Sequence, residues 1–351
     1  MADWSRGMTQ TWTWCEVNPA TWQDIRVLDT VVSASIKRDA DAELRESASL
    51  VVDSEMLDEI YVRAYLDVEQ DDKSERICVG TFLCQTPTLK SDGRTSELTV
   101  EAYSPLLELR DDIPPFGYTV TGNIPARIKE IVERASHAPF TGYGTTNLPN
   151  AVVANEDDTW LSYARAIAAY ANCDVTCDET GRVSMVPFVS KASLMERWVF
   201  DDSNSSITLP NTEETFDWYG LPNVCEVVWS EDTGCVFGRA ENSNRRSLIS
   251  TAARGRRVVL RVTNPDELKE GCTQAQANNL ARKMLEDASV VERTFVISHG
   301  FCPVRIGDCV RINLASHGIN TLAQVKSQEI DCTTGATIRS VCVSTERMWS
   351  A

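Results

Sequence analysis

Residues 30–53, TVVSASIKRDADAELRESASLVVD, constrain the fold more than any other stretch of the chain. Apolar side chains alternate with polar ones at Val32, Ala34 and Ile36. The alternation breaks off through the charged run 37–46 and resumes at Ala48, Leu50 and Val52. A period of two sends successive side chains to opposite faces of an extended backbone. The pattern therefore predicts two half-buried strands joined by a solvated turn, and a chain that builds sheets and surfaces rather than a catalytic loop.

The same logic runs along the rest of the sequence. Strands are expected at 60–68, 76–85 and 96–103, with hairpin turns at 71–74 and 91–93, and a short helix follows Pro105. The breaker cluster Pro114-Pro115-Phe116-Gly117 opens a middle region. There Ile128, Ile131, Val132 and Ala135 fall at helical spacing after Pro125. Leu161, Ala164, Ile167, Ala168 and Ala171 do the same after Asp157-Asp158-Thr159, and a hairpin pairs 173–177 with 182–188. The last third returns to strands at 224–229, 257–262, 293–298, 308–314, 322–330 and 336–344. An amphipathic helix at 273–288 interrupts them, opened by the capping-box pair Thr273 and Gln276. The expected class is α+β, predominantly β: a first β domain at 1–112, a small α+β domain at 113–220, and a second β domain at 221–351.

Composition excludes several functions. Lys and Arg total 34 against 51 Asp and Glu, a net charge of −17, which argues against gripping phosphates or anionic membranes. No apolar run reaches the roughly 18 residues of a membrane helix, so no membrane insertion is expected. The opening MADWSRGMTQ lacks a secretion signal, so the chain is expected to fold in a cytoplasm. Twelve scattered cysteines sit mostly in apolar runs, such as Cys78, Cys309 and Cys342, where a reduced thiol acts as a small hydrophobe.

The chemistry-bearing residues are sparse. His137, His299 and His317 stand in no metal-binding spacing, and no phosphate loop, dinucleotide fingerprint or nucleophile elbow occurs. The acid doublets Asp111-Asp112, Asp157-Asp158 and Asp201-Asp202 read as caps or as strand neighbours on opposite faces, not as a glycosidase pair. Cys302, Cys309, Cys332 and Cys342 lack the Cys-x-x-Cys knuckle of structural zinc; only the looser spacing of an iron–sulfur cluster leaves them as ligand candidates. No catalytic residue and no cofactor is therefore expected. The one inversion of charge is Arg245, Arg246, Arg254, Arg256 and Arg257, with Arg261 beyond. A strand of nucleic acid would want interleaved aromatics for stacking, and that segment has none, so the arginines are expected to meet carboxylates of neighbouring elements or of a partner chain.

Residues 33–53, read with Val79-Gly80-Thr81-Phe82 and Glu101-Ala102-Tyr103-Ser104-Pro105-Leu106-Leu107, resemble in order and spacing the N-terminal barrel of tail hub (baseplate hub) proteins of tailed bacteriophages. Asn223-Val224-Cys225-Glu226-Val227, Ser250-Thr251-Ala252-Ala253-Arg254-Gly255-Arg256, the capped helix and Pro303-Val304-Arg305-Ile306-Gly307-Asp308 extend the resemblance over most of the chain. The resemblance implies two tail-tube-like β-barrel domains around the α+β piece, and a homotrimer presenting a pseudo-sixfold ring. It implies as partners the tail tube or distal tail protein, a central spike or fibre protein and a tape measure protein. It places the chain at the tail tip of the virion, assembled in the host cytoplasm. DNA would pass the lumen without specific binding, since lumen carboxylates repel phosphates over about a Debye length. With the sequence ending at Ala351, no lytic extension is expected. Two other readings stay open at this point: a receptor- or carbohydrate-binding tail-tip component using some of the nine tryptophans, and a cell-wall hydrolase.

Overall fold

The expected pair forms as antiparallel strands Val31–Asp39 and Glu46–Val52, with Ala34 opposite Leu50 and Ile36 opposite Ala48. In this computed structural model, which describes residues 2–53, 58–91, 96–189, 194–203, 205–231 and 234–349, the ladder reaches further into the charged run than alternation implies. The reason is a buried ion pair. Arg38 and Glu46 are register partners, both side chains are buried, and Arg38 Nε lies 3.4 Å from Glu46 Oε1. Arg305 reaches the same carboxylate at 3.0 Å, while Arg38 donates to the Val79 carbonyl at 2.5 Å and to Gln328 Oε1 at 3.3 Å. Burial works against the Glu46 charge and the two guanidiniums work for it, which ties three distant segments together.

The chain divides into two compact units. The first comprises Met1–Asn211 and Ile297–Val341. Its sheet runs, each strand antiparallel to the next, through Ile319–Asp331, Val31–Asp39, Glu46–Val52, Ser96–Tyr103, Lys73–Ser91, Tyr61–Gln70, Thr9–Val17 and Asp24–Val27. Beyond Ile319–Asp331, Cys309–Leu314 pairs antiparallel and then Glu196–Asp201 pairs parallel. Asp71 and Asp72 turn the Tyr61–Gln70 hairpin with φ of 49° and 58°, the left-handed pair that a two-residue loop requires. Of the other expected turn, Asp92 and Gly93 lie outside the described residues.

One core of this unit fills the strands, with Trp14, Ile36, Leu50, Leu66, Phe82 and Ile330 buried together. A second gathers the helices Leu106–Asp111, Ile124–Ala135 and Trp160–Ala169 on the Cys173–Cys177 and Val183–Pro187 hairpin. A turn at 178–181 joins the two. Trp22 Nε1 and Arg63 Nη2 donate to the Thr180 carbonyl at 2.7 and 3.1 Å, and Thr81 Oγ1 donates to that of Glu179 at 2.9 Å. Gly181 closes this turn at φ +78°, and a Cβ there would lie 2.8 Å from both Thr81 and Trp22.

The second unit comprises Thr212–Val296 and Cys342–Ala351. Val224–Glu231 lies between Gly234–Glu241, antiparallel, and Val259–Thr263, parallel. The Gln274–Ala288 helix covers one face, packing Ala277, Leu280, Ala281 and Leu285 on Cys225 and Val227. Its expected capping box is present: Gln276 N–H donates to Thr273 Oγ1 at 3.3 Å and Thr273 N–H to Gln276 Oε1 at 2.7 Å.

The class is the expected one, α+β and mostly β. Of the expected β-barrel domains, no closed barrel is found among the described residues, and the first unit's sheet ends at the exposed edge strand Asp24–Val27. Alternation reports which face of a strand is buried; it carries no information on whether the first and last strands of a sheet meet.

A candidate interface on the second unit

The arginine-rich segment is held by one buried side chain. Asn223 is fully buried at the start of its strand, and its Nδ2 donates to the carbonyls of Ile249 and Arg256 at 3.1 and 3.0 Å. Its Oδ1 accepts from Val258 N–H at 2.7 Å, so every polar atom of the amide is used. Between these anchors Ser250 caps the short helix Thr251–Arg254, accepting from Ala253 N–H at 3.1 Å, and Gly255 ends it in the left-handed conformation, φ 63°. The backbone of residues 242–258 is thereby fixed, with Arg245, Arg246 and Arg256 exposed on it.

On the sheet face away from the helix, Glu226 stands in register with Arg239 on one neighbour and Arg261 on the other. Arg261 grips Glu226 Oε2 through Nη2 at 2.7 Å and Nε at 3.1 Å, and Arg257 Nη2 reaches Oε1 at 3.3 Å. The bonds from Arg261, then the nearby charges of Arg261, Arg257 and Arg239, hold the Glu226 carboxyl below the usual range. Beside this clamp lies an open groove of about 400 Å³ lined by Glu226, Arg257, Val259 and Arg261.

The five candidate arginines thus fall into two groups. Arg257 is neutralised within the chain, and Arg254 donates to the carbonyls of Leu221 and Trp218 at 2.9 and 3.3 Å. Arg245, Arg246 and Arg256 are exposed and make no ion pair among the described residues. The bonds from Arg254 bring a second element to the patch that sequence reasoning missed. Phe216, Trp218 and Tyr219 form an aromatic run whose members are 37%, 40% and 95% exposed, and Leu248 on the arginine segment is 56% exposed. The signal was legible as three aromatics in four residues before Gly220, but nothing in the sequence joined it to arginines about thirty positions on.

The four candidate cysteines are not gathered into a site. Cys302 Sγ lies 3.8 Å from His299 Nδ1, Cys309 is buried in a strand, and Cys332 packs in the strand core. Cys342 is buried in the second unit, which pushes its thiol up to about 12. Among the described residues no disulfide forms, and no three His, Cys, Asp or Glu stand together as metal ligands. The acid doublets serve local structure: Asp112 accepts from Trp160 Nε1 at 2.9 Å, Asp158 from Ser162 Oγ at 3.0 Å, and Asp202 from Ser316 N–H at 2.8 Å.

The sequence matches no family model and no curated protein. Solved structures do match. A tail protein from Neisseria meningitidis superimposes with a TM-score of 0.60 at 12% identity, covering 97% of this chain and 98% of that one. The 43 kDa tail protein of prophage MuSo2 from Shewanella oneidensis gives 0.56 at 10% identity, covering 95% and 98%. The chain has the fold of phage tail proteins. A chain of the Francisella PdpA–VgrG complex shares this tail-protein fold at a TM-score of 0.52 and 7% identity, with 97% of this chain covering 53% of that one.

Proposed function

We propose that this chain is a structural hub at the distal end of a phage tail, a homotrimer that joins the tail tube to the central spike or fibre and lines the DNA exit channel. The observation that carries the reading is the fold shared end to end with two tail proteins, one of them from a prophage, each matched over nearly its whole length. Net charge supports it: three copies at −17 give a surface that repels phosphate, as a channel that conducts DNA without holding it requires. On this reading the chain is not an enzyme, and its work lies in contacts with other copies, the tail tube or distal tail protein, the spike or fibre, and the tape measure protein.

The test is direct. Cryo-electron microscopy of purified tails should find three copies at the tip, and mass photometry of the isolated protein should show a species near three times 39.0 kDa. Density for the chain elsewhere in the virion, or its absence from purified tails, overturns the reading.

A further inference from the structure

We propose that the arginine–aromatic face of the second unit is the surface by which one copy of this chain binds the acidic surface of the next. This rests on the assembly of identical subunits proposed above and deepens it by naming the contact. Residues 242–265 carry six arginines and no acid, so they hold +6. The rest of the chain then carries −17 − 6 = −23. A second copy therefore supplies the complementary charge in abundance. Three nearby acids are already engaged: Glu226 in its clamp, Glu241 by Arg239 at 2.7 Å and Thr251 Oγ1 at 2.8 Å, Asp217 by Tyr219 N–H at 2.9 Å, while the exposed Asp266 and Glu267 follow at the end of the segment. Arg245, Arg246 and Arg256 are left to face outward on a backbone that Asn223 has fixed in advance, so docking need order their side chains but not their backbone.

The balance of charge favours a second copy over nucleic acid: the whole chain at −17 repels phosphate, while the −23 outside this segment is what its arginines can pair with. Arginine beside exposed Trp and Tyr is what buried interface centres are enriched in, and lysine, which they lack, is absent from residues 242–265. A heterologous patch meeting a different surface of an identical subunit generates a closed ring when the rotation closes. That is the symmetry a hub requires.

The experiment compares the full-length chain with Arg245→Glu/Arg246→Glu/Arg256→Glu and, separately, Tyr219→Ala, by sedimentation velocity at about 50 and about 300 mM salt. All altered side chains are exposed, so unchanged thermal unfolding serves as the control for folding. The expected result is self-association that weakens with salt, falls by at least about tenfold in the triple variant, and falls several-fold in Tyr219→Ala. Self-association of the triple variant equal to that of the parent overturns the assigned surface, and leaves the hub reading intact if cryo-electron microscopy still finds the chain at the tip. A parent that stays monomeric throughout overturns the proposal. So does a labelled oligonucleotide that binds the parent in preference to a second copy and loses binding in the triple variant.

Discussion

Gly238 meets the backbone of Ala277: a Cβ built on the glycine would lie 2.2 Å from the Ala277 carbonyl carbon and 2.3 Å from its oxygen. The glycine sits on the sheet face that the Gln274–Ala288 helix covers, between Val236 and Ala240, which pack on the same cluster. The helix can approach this closely only because the strand lacks a side chain there.

Gly238→Ala should therefore cost about 3 kcal/mol, since the atoms in the way are backbone and cannot rotate aside. Thermal or urea unfolding would measure it. A loss under about 1 kcal/mol would mean that the helix shifts freely on the sheet.

The buried ion pair gives a second expectation. Removing Glu46 leaves Arg38 without its counter-charge in a buried site, so Glu46→Gln should cost about 3–5 kcal/mol. Arg38→Met with Glu46→Leu should cost less than either single change, because no unpaired charge remains. A double-mutant cycle by urea unfolding reads both.

How much of this was legible in the sequence follows from what each signal depends on. The strands around Ile36 and Leu50 and the helix opened by Thr273 depend on neighbours in sequence, and they formed where expected. Arg38 and Glu46 look like solvated loop residues, because only Val79, Arg305 and Gln328, all distant in sequence, make their burial tolerable. Asn223 is likewise one asparagine among several until the carbonyls of Ile249 and Arg256 converge on it. The strands Asp24–Val27, Glu196–Asp201, Glu213–Phe216 and Gly234–Glu241 were missed. Three of them are largely exposed, and their alternation is weak because little of either face is buried.

Acid should expose a third property. His299 is buried against Phe200, its Nδ1 2.7 Å from the Gly300 carbonyl and its Nε2 2.8 Å from Ser340 Oγ, with Cys302 Sγ at 3.8 Å. A carbonyl only accepts, so Nδ1 carries the proton and Nε2 accepts from the serine. Burial lowers the imidazole from 6.5 to about 4. The folded group thus binds fewer protons than the unfolded one between those values. Its stability contribution is whole above pH 6.5 and declines as pH falls toward about 4, by about 3 kcal/mol in total. Most of this window lies above the range in which ordinary carboxylates titrate. The urea midpoint should fall between pH 7 and 5 in the parent protein and stay level in His299→Gln.

The last expectation separates the scaffold of the candidate interface from its contact residues. Asn223→Ala removes a fully buried amide and strips partners from two carbonyls and one N–H, which should cost about 3 kcal/mol. Asn223→Asp is nearly isosteric but turns an acceptor toward the Ile249 and Arg256 carbonyls where a donor stood, so it should cost at least as much. Because the amide holds the 242–258 backbone in place, hydrogen exchange should quicken there first, at Val258 and Ala253, while the Gln274–Ala288 helix stays protected. Self-association should weaken in either variant even though every arginine is retained. An Asn223→Asp protein that exchanges and self-associates like its parent would show that the arginines need no fixed backbone behind them.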